Sequence, residues 1–470
     1  MGQKMQKLFK SCYELDRKCY EKYGLNEDIL MEHAASSMES FIRGKFDANS
    51  TILIVCGAGN NGADGITLAR LLHLDYRIKL YIPFGVKSSM AKIQLQRASL
   101  VGVELVEEIS SCDVLVDALF GAGLNRELNS QAVSIIESMN SLEAYKIACD
   151  IPSGIDENGN PSPIAFKADT TITMGALKEA LYNDLAKDFV GDVAVANLGV
   201  ARELYEDASD IYLLEASDFK PPIRESKNCH KGSFGHASIF CGQKEGAAII
   251  SATAAARFGA GLTTLVVHEK VTCPPFLMSS TTTPKNATAI AIGMGLGEFF
   301  EKELLDKEVI NSDTPIVLDA DALYKKELLN IIKQNRKVVI TPHPKEFVSV
   351  LKLLKNIDIT IKQVQENRFK LAREFSAKFP NVTLLLKGAN TIIAKNGELY
   401  VNSLGSSVLA KGGSGDVLSG LIVSLLAQGY TAKDAAINGS LALALASQKF
   451  DKPNYFLLPL DIVDLLAEIV

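Results

Sequence analysis

Residues 51–65, TILIVCGAGNNGADG, decide the fold of the N-terminal half of this chain. The run Thr51–Cys56 is apolar and β-branched and predicts a buried strand, a glycine-rich turn follows, and a helical pattern covers Ala63–Leu74. A strand, a glycine-rich turn and a helix in this order are typical of a nucleotide-phosphate site in a doubly wound sheet. The GxGxxG spacing is a weak signal alone, but the clustered oxygens of Asn60, Asn61 and Asp64 suit a hard cation or ribose hydroxyls.

Short β-branched runs alternate with helical patterns along the rest of the chain and predict two α/β blocks with largely parallel sheets. The predicted strands of the first block are Thr51–Cys56, Ile78–Ile82, Val114–Asp117 and Tyr145–Asp150. Those of the second block are Ala237–Cys241, Thr263–Val267, Ala289–Ile292, Pro315–Leu318, Lys337–Ile340, Thr383–Lys387 and Thr391–Ala394, with a helix of small residues over Gly246–Gly261. Between Ala201 and Lys231 the pattern weakens and two adjacent prolines occur, so we expect a Rossmann-like domain over residues 1–210 and a second α/β domain over residues 211–470.

The composition excludes several classes of protein. The chain has 470 residues, 47% of them hydrophobic and 22% charged, and a net charge of −6 with acidic and basic residues interspersed. This predicts a globular protein that binds neither nucleic acid nor a membrane. The N-terminus has no apolar run of the signal-peptide type, and no window approaches ~18 uninterrupted apolar residues. The eight cysteines form no CxxC pair, which predicts reduced thiols in a cytoplasmic protein.

Two further predicted strand ends in the first block carry polar residues, in VDALFGAGL from Val116 and DIPSGID from Asp150. Ligands of open α/β sheets collect at the carboxyl ends of the strands, so we expect Asp117, Asp150 and Ser153 to converge with Asn61. The alternative is that each residue only caps a helix or forms an Asx turn.

The segment Ala410–Gly420, AKGGSGDVLSG, predicts an anion-binding turn in the second block. Its glycines, Gly412, Gly413 and Gly415, can take positive φ and direct N–H groups to one point, where the following helix adds its dipole. Asp416 would then accept a proton from a substrate hydroxyl, as in phosphoryl transfer. A turn that merely caps a core helix is the alternative. The helix dipole should lower the pKa of Asp416 and a bound phosphate should raise it, a balance that the sequence leaves open.

Two other segments of the second block contain candidate binding groups. His343 lies between two prolines that stiffen its loop, where a neutral imidazole could hydrogen-bond a substrate. Lys387, at a predicted strand end, offers a cation to nucleotide phosphates, together with the backbone of Gly388, Ala389, Asn390 and Thr391. An ordinary hairpin with an exposed lysine is the alternative for the second segment.

The first block resembles the NAD(P)H-hydrate epimerases in the segments GAGNNGADG, DALFGAGL and DIPSGID. The resemblance implies a potassium ion held by Asn61, Asp117 and Ser153, with Asp150 as the acid/base group at the inverting carbon. It implies the substrate-binding residues Asn60, Asn61, Gly62, Ala63, Asp64, Gly121, Ala122, Gly123, Leu124, Asn125, Arg126, Glu127 and Asp150. Ala63 stands where the family usually has a second glycine, a departure that affects only the local turn.

The second block resembles the ribokinase-like NAD(P)H-hydrate dehydratases, so the resemblance covers nearly the whole chain. The matching segments, in family order, are KGSFGH from Lys231, GAGL from Gly259, GMGLG from Gly293, LDADAL from Leu318, TPHPKEF from Thr341, LKGANT from Leu386 and the Gly412–Asp416 loop. The resemblance implies the substrate-binding residues Ala247, Gly295, His343 and Asp416, and the nucleotide-binding residues Lys387, Gly388, Ala389, Asn390, Thr391, Gly412, Gly413, Ser414 and Gly415. Lys345 and Lys411 stand where the family commonly has a glycine and a threonine, so the detailed contacts to the nucleotide need not follow the family pattern at these two positions.

The resemblance implies repair of hydrated NADH and NADPH. The first domain would interconvert the R and S hydrates, and the second would phosphorylate the S hydrate, with Asp416 as base and Mg²⁺ present, before phosphate leaves. Bacterial members generally use ADP, which we favour over ATP. The alternative is a vitamin-type small-molecule kinase with a non-catalytic dinucleotide-binding N-terminal module. We also expect a homo-oligomer with small-molecule partners only. The sequence leaves open the number of subunits in the oligomer and whether the protein prefers NADH hydrate or NADPH hydrate. It also leaves open whether K⁺ is strictly needed and whether substrate is channelled between the two sites.

Overall fold

The computed structural model describes residues 5–124, 127–297, 305–334 and 336–469. The chain divides into two compact units, one formed by Lys7–Ser209 and one by Asp210–Val470 with the residues up to Gln6. Among the described residues, no helix combines the length and the apolar character that crossing a membrane requires. Each unit is a layered α/β structure, which confirms the predicted fold class.

The first unit is built on a parallel sheet of seven strands. The unit has nine strands, of which seven form this sheet. They are β1 (Gln6–Phe9), β2 (Thr51–Cys56), β3 (Arg77–Tyr81), β4 (Leu105–Val106), β5 (Val114–Ala118), β6 (Tyr145–Cys149), β7 (Thr170–Met174), β8 (Leu177–Lys178) and β9 (Asp192–Ala196). The order in the sheet is β4-β3-β2-β5-β6-β7-β9, while β1 pairs in parallel with β8. The order reverses between β2 and β5, which places their carboxyl ends at a topological switch point, where ligands bind in such sheets.

Helices cover both faces of this sheet because its strands are apolar on both faces. The α-helices are α1 (Tyr13–Tyr23), α2 (Glu27–Lys45), α3 (Asn60–Leu72), α4 (Ser89–Val101), α5 (Ser130–Ser141), α6 (Lys187–Val190) and α7 (Arg202–Tyr205), with 3-10 turns at Glu179–Tyr182 and Asp184–Ala186. On β2, Ile52 and Ile54 pack in a buried cluster with Met38 of α2, whereas Leu53 packs on the other face with Ile136 of α5. This alternation produces the doubly wound arrangement.

The second unit contributes ten strands to one sheet, and one of these strands is antiparallel to its neighbours. Its strands are β10 (Ile211–Leu214), β11 (His236–Cys241), β12 (Leu262–Val267), β13 (Met278–Ser280), β14 (Ala289–Ile292), β15 (Ile316–Leu318), β16 (Val338–Ile340), β17 (Val382–Leu386), β18 (Thr391–Lys395) and β19 (Glu398–Asn402). The order is β13-β12-β11-β14-β15-β16-β17-β18-β19-β10. Pairing is parallel from β13 to β17, β18 is antiparallel to both neighbours, and β10 is parallel to β19.

Some helices of the second unit pack together through small residues. The helices of this unit are α8 (Glu245–Arg257), α9 (Lys326–Leu329), α10 (Pro344–Lys355), α11 (Ile361–Glu366), α12 (Arg368–Lys378), α13 (Ser414–Ala427), α14 (Ala432–Gln448) and α15 (Pro459–Leu465). Shorter turns are the 3-10 segments Ala216–Asp218, Lys231–Phe234, Ala320–Tyr324, Asn330–Lys333, Ser407–Leu409 and Leu466–Glu468, and the π-helical Asp306–Ile310. A Cβ built on Gly420 of α13 would lie 2.2 Å from the carbonyl oxygen of Ser251, so α13 and α8 pack backbone to backbone. This contact holds the N-terminus of the buried α13 in place.

The predicted strands of both blocks occur, with boundaries shifted by one or two residues at most. The expected helix over Gly246–Gly261 is shorter, because α8 ends at Arg257 and the chain turns through Gly259, whose φ is +101°. The sequence analysis does not include the strands β1, β4, β7, β8, β9, β13, β19 or β10. The last of these lies inside the region of weak pattern and joins the second unit by pairing with β19. The assignment of separate activities to residues 1–210 and 211–470 stays a prediction.

Candidate functional site

The turn between β2 and α3 is possible only with glycine at two positions. A Cβ on Gly57 would lie 1.8 Å from the carbonyl oxygen of Leu119, and a Cβ on Gly62 would lie 1.9 Å from that of Gly57. The turn therefore packs directly against the chain that leaves β5. Ala63 is fully buried in a small cluster with Met31, so its extra methyl group is accommodated.

A buried polar cluster lies at the carboxyl ends of β2, β5 and β6. The Asp117 carboxylate accepts the Ser153 amide and hydroxyl, both at 2.7 Å, and the Leu119 amide at 3.1 Å. Burial raises the pKa of Asp117 to about 6, against the lowering effect of these hydrogen bonds. Both side-chain atoms of Asn61 are buried without a hydrogen-bond partner in the described part of the chain. A Cβ on Gly121 would lie 3.1 Å from Asn61 Oδ1, so Asn61 faces the loop after β5.

Asp150 follows β6 directly and adopts a left-handed backbone conformation, with φ of +69°. Its Oδ1 accepts Lys178 Nζ at 2.6 Å, the Met174 amide at 3.1 Å and the Thr173 hydroxyl at 3.3 Å. Among the described residues, Oδ2 accepts the Ala122 amide alone, at 3.3 Å. Burial raises the pKa of Asp150, but the Lys178 ammonium and the hydrogen bonds outweigh it, so the net shift is downward. Asp150 is therefore an ionised carboxylate with one lightly bonded oxygen. A positive φ at a non-glycine residue stores strain of a kind that clusters at active sites.

Lys178 is a residue that the sequence analysis missed. Its ammonium is 3% exposed and donates to Asp150, Thr173 Oγ1 at 3.0 Å and the Met174 carbonyl at 3.1 Å. These bonds use all three of its N–H donors. The local sequence, GALKEAL from Gly175 to Leu181, gave little signal, because Glu179 follows Lys178 and a lysine beside a glutamate is usually exposed.

The remaining predicted residues of the first unit differ in their hydrogen bonds and in how far they are exposed. Asn60 donates to Glu27 Oε1 at 2.5 Å, and Asp64 is half-buried in the first turns of α3. Leu124 is buried, whereas Ala122, Gly123 and Glu127 are exposed. Asn125 and Arg126 lie outside the described residues.

The second unit brings an aspartate, a lysine and the glycine loop together. Asp319, which follows β15 and is 2% exposed, accepts Lys387 Nζ at 2.8 Å and the Ser419 hydroxyl of α13 at 2.7 Å. A Cβ on Gly415 would lie 3.6 Å from Lys387 Nζ, so this ion pair lies directly below the loop. A Cβ on Gly293 would lie 1.7 Å from the Asp319 carbonyl oxygen, which explains why the end of β14 requires glycine, with φ of +123°.

The glycine loop differs from the expectation in its backbone. Only Gly413 has a positive φ, +98°, because α13 already begins at Ser414 and includes Gly415 in its first turn. Gly412 is exposed, and the Ser414 hydroxyl is buried without a partner among the described residues. Several N–H groups at the start of α13 thus remain available to an anion.

Asp416 has a pKa suited to general base catalysis. Burial, with the Asp319 charge adding to it, raises the pKa of Asp416 to about 7, against the opposing charge of Lys387. Burial is the largest cause of this shift, and the effect of a bound phosphate on the pKa of Asp416 stays a prediction.

His343 and Glu346 form a capping pair at the start of α10. The Glu346 amide donates to His343 Nδ1 at 3.2 Å, and Glu346 Oε2 accepts the His343 amide at 2.8 Å and lies 3.5 Å from Lys387 Nζ. Burial, together with the Lys387 charge, lowers the pKa of His343, although Glu346 opposes this shift. The imidazole is accordingly neutral near pH 7, with its proton on Nε2. Glu346 and Asp319 were missed as site residues although both lie in the quoted motifs.

The other predicted residues of the second unit surround this centre. Gly295 has a φ of +63°, and a Cβ there would lie 3.1 Å from the Cβ of Ala247, so the two face each other. Gly388 and Ala389 are exposed, Asn390 is buried, and Thr391 begins β18. The buried guanidinium of Arg368 donates to the carbonyls of Lys387, at 3.2 Å, and Asn390, at 2.8 Å, which fixes this turn.

Comparison with known proteins covers both units. Residues 237–468 match a family model described as NAD(P)H-hydrate dehydratase, and residues 27–180 match one described as YjeF-related protein N-terminus. A Helicobacter pylori protein named bifunctional NAD(P)H-hydrate repair enzyme Nnr is 42% identical, covering 99% of this chain and 100% of that protein. The chain belongs to the bifunctional NAD(P)H-hydrate repair enzymes.

Two further similar proteins cover different shares of this chain. A protein of the same name from Dictyoglomus turgidum is 33% identical and covers 92% of this chain and 91% of its own length. The solved structure of an ADP/ATP-dependent NAD(P)H-hydrate dehydratase from Bacillus subtilis, co-crystallised with ATP/Mg²⁺, is 26% identical with a TM-score of 0.46. The match covers 52% of this chain and 92% of the Bacillus subtilis chain.

Replacing Lys178 with methionine should destabilise the first unit by about 3–5 kcal/mol at pH 7.5, because an uncompensated carboxylate stays buried. In wild type the lowered pKa of Asp150 contributes stability that is lost as the pH falls through it. Without the ammonium, burial leaves that pKa raised, so acidification to pH 5 protonates Asp150 and should shrink the difference between the two proteins. Urea unfolding at both pH values measures this, and an unchanged difference would contradict the ion-pair assignment. The double variant K178M/D150N, which lacks both charges, should lose less stability than K178M and show little pH dependence.

Proposed function

We propose that this chain restores hydrated NADH and NADPH by epimerisation in its first unit and nucleotide-dependent dehydration in its second. The observation that carries the proposal is the match over 99% of the chain, because it includes both units of a protein named for this repair. Each unit also contains a half-buried aspartate with a shifted pKa at the carboxyl edge of its sheet. Perturbed carboxyls in such positions are typical of acid/base catalysis.

In the first unit Asp150 is the acid/base group that acts at the inverting carbon. It is ionised near neutral pH, and its lightly bonded Oδ2 has lone pairs with which it can accept a proton during the reaction, although its lowered pKa makes it a weaker base than a free carboxylate. The loop that begins with Gly121 donates its Ala122 amide to the same oxygen, so a substrate bound against this loop would lie beside the carboxylate.

The residues at the ends of β2, β5 and β6 fit a potassium ion. Asn61 Oδ1 is a buried acceptor that lacks a donor among the described residues, and Asp117 and Ser153 supply further oxygens nearby. A monovalent hard cation would satisfy the orphaned amide oxygen and neutralise Asp117. When bound, the ion would orient the loop after β5; the proton transfers remain with the carboxyl groups.

In the second unit Asp416 deprotonates the hydroxyl of the S hydrate while the N–H groups at the start of α13 stabilise the transferred phosphoryl group. Phosphate is a far better leaving group than hydroxide, so its departure regenerates the dihydropyridine ring. His343, which is neutral, and the small residues Ala247 and Gly295 would orient the hydrate. Lys387 and the turn through Thr391 would bind the nucleotide.

Mg²⁺ would arrive with the nucleotide, for which we favour ADP over ATP. The described residues contain no cluster of three or more His, Cys, Asp or Glu side chains suited to a metal. The ion would therefore be held mainly by phosphate oxygens and water, with Glu346 as a nearby carboxylate. We further propose that the chain acts in the cytoplasm, in line with eight unpaired cysteines, and as a homo-oligomer.

The proposal predicts that the protein with Mg²⁺ and ADP recovers an entire R/S mixture of NADH hydrate, followed by near-ultraviolet absorbance. In D150N, recovery should stop at the S fraction apart from spontaneous exchange. If wild type also stops there, the epimerase assignment is wrong. A stable phosphorylated product with no recovered NADH would instead support a small-molecule kinase.

Dehydration of pure S hydrate should increase with pH through about 7, since Asp416 must be ionised to act as a base and its pKa is raised to about 7. Asp416→Asn should lower kcat by about 10²–10⁴-fold while epimerisation continues. Asp319→Asn removes the negative neighbour that contributes to this raised pKa, so the acidic limb of the profile should move to lower pH. A profile that is flat between pH 6 and 8 in wild type would argue against Asp416 as the base.

Replacing K⁺ with tetramethylammonium should slow epimerisation and leave dehydration of pure S hydrate unchanged, because the proposed ion site lies in the first unit. Ser153→Ala removes a ligand and should raise the K⁺ concentration for half-maximal epimerisation by about 10-fold, as loss of ligand-supporting groups does at other metal sites. Ser138→Ala, an exposed serine of α5, is the matched control. Equal epimerisation rates in the two cations would exclude the potassium site.

A further inference from the structure

A groove in the second unit concentrates positive charge. Four cationic side chains line it, those of Arg336, Lys337, Lys395 and Lys433, together with the carboxylate of Glu398. Among its described lining residues, four positive charges and one negative charge leave a local charge of +3, whereas the whole chain has a net charge of −6. We call this space, about 510 Å³ in volume, the amino-edge groove. A concave surface with one dominant sign of charge attracts ions of the opposite sign.

The topology places the amino-edge groove away from the proposed catalytic centre. Lys337 directly precedes β16 and Asn381 directly precedes β17, whereas Lys395 ends β18, which runs antiparallel to β17. These residues therefore share the amino edge of the sheet, while Asp319 and Lys387 follow β15 and β17 at its carboxyl edge. The five residues of β17 span roughly 17 Å at about 3.3 Å per residue, so the groove is a separate site.

The four cations of the groove have no anionic partner. In the part of the chain that the structure describes, none of them forms an ion pair with a carboxylate. The Glu398 carboxylate accepts the Tyr400 hydroxyl at 2.8 Å, and Lys433 Nζ donates to the oxygen of the same hydroxyl at 3.1 Å. Burial, with the charge of Lys433 adding to it, lowers the pKa of Lys395, so these two ammonium groups are close enough to repel each other. An anion bound between them would offset this repulsion.

Arg336 supplies a buried donor that lacks an acceptor. The residue is 5% exposed, its Nε donates to the Thr314 carbonyl, and its Nη1 donates to the Val309 carbonyl at 2.7 Å. Its Nη2 is also buried and has no hydrogen-bond partner among the described residues. A buried charged group with an unused donor is costly, and an anion in the groove that Arg336 lines could accept this hydrogen bond.

The N-terminus of α14, a helix of 17 residues, also lies in the groove. Thr431 caps this helix by accepting the Asp434 amide at 3.1 Å, and Ala432 and Lys433 begin its first turn. The N–H groups of these two residues have no carbonyl partner within the helix and carry the positive end of its dipole. The Asp434 carboxylate accepts the Thr431 hydroxyl at 2.6 Å and is not part of the groove lining. A helix start beside unpaired cations favours phosphate groups.

We propose that the amino-edge groove is a binding site for a small organic diphosphate. Two linked phosphate groups carry roughly three negative charges near neutral pH, which matches the local charge of +3. A volume of about 510 Å³ exceeds the needs of an inorganic ion and lies within the roughly 300–1,000 Å³ of small-molecule sites, so it accommodates the organic part as well. The lysines, Arg336 and the first N–H groups of α14 would bind the phosphate oxygens. The site does not depend on either catalytic function proposed above.

The first test follows acetylation of individual lysines by mass spectrometry, with inorganic pyrophosphate as the ligand at constant ionic strength. Once pyrophosphate reaches about ten times its Kd, the acetylation rates of Lys337, Lys395 and Lys433 should fall by about 10-fold, along one saturation curve. Lys362, whose side chain is 84% exposed on α11, should react at an unchanged rate. Equal labelling of the three groove lysines with and without pyrophosphate would overturn the proposal.

The second test removes charge from the groove. In K337Q/K395Q the pyrophosphate concentration that half-protects Lys433 should rise by about 10-fold or more, because charge-assisted hydrogen bonds are lost. The control K352Q/K362Q, the same change at two exposed lysines of other helices, should bind as wild type does.

Thermal unfolding without ligand separates binding from a structural role. K337Q/K395Q should unfold at no lower temperature than wild type, because neither lysine has a partner among the described residues and one source of repulsion is removed. Wild-type protection of Lys433 in this folded variant would overturn the site. Binding to phosphatidylglycerol vesicles that is lost in K337Q/K395Q, without protection by pyrophosphate, would assign the groove to a lipid surface and overturn the diphosphate.

Discussion

A buried ion pair between one aspartate and one lysine organises each of the two units. Asp150 and Lys178 are 2.6 Å apart in the first unit, and Asp319 and Lys387 are 2.8 Å apart in the second. In both cases the aspartate follows a central parallel strand. Desolvating either charge alone would cost several kcal/mol, roughly, so each aspartate can be placed at the sheet edge only because a lysine from a later segment meets it there.

Each ion pair leaves a second carboxyl group without a cation of its own. Asp64 in the first unit and Asp416 in the second are each close enough to the paired aspartate for its charge to raise their pKa. One carboxyl of each unit is therefore held ionised, and the other is driven toward its protonated form.

The same two edges also depend on a close approach of backbones. Gly57 packs against the Leu119 carbonyl and Gly293 against the Asp319 carbonyl, at distances that exclude any Cβ. These contacts bring the loops after neighbouring strands within reach of one ligand. The glycines thus position the polar groups, although they carry no chemistry themselves.

Much of this could be predicted from local sequence. The strand Thr51–Cys56, the glycine turn after it and the position of Asp416 at a helix start each follow from residues adjacent in the chain, since strand and turn preferences act over a few residues. The convergence of Asp117 and Ser153 follows from parallel topology, which places strand ends together. The strand Thr170–Met174, TTITM, was missed although four of its five residues are β-branched and favour a strand.

The sequence by itself determined the two α/β blocks, the motifs at their strand ends and the resemblance to a repair enzyme. Only the tertiary structure decided which carboxyl groups are charged. Lys178 lies 28 residues from Asp150 and Lys387 lies 68 residues from Asp319, and no spacing rule connects them. The pKa of a buried carboxyl depends on the cations and donors that the whole fold brings to it, and on its loss of water. These quantities exist only once the chain has folded.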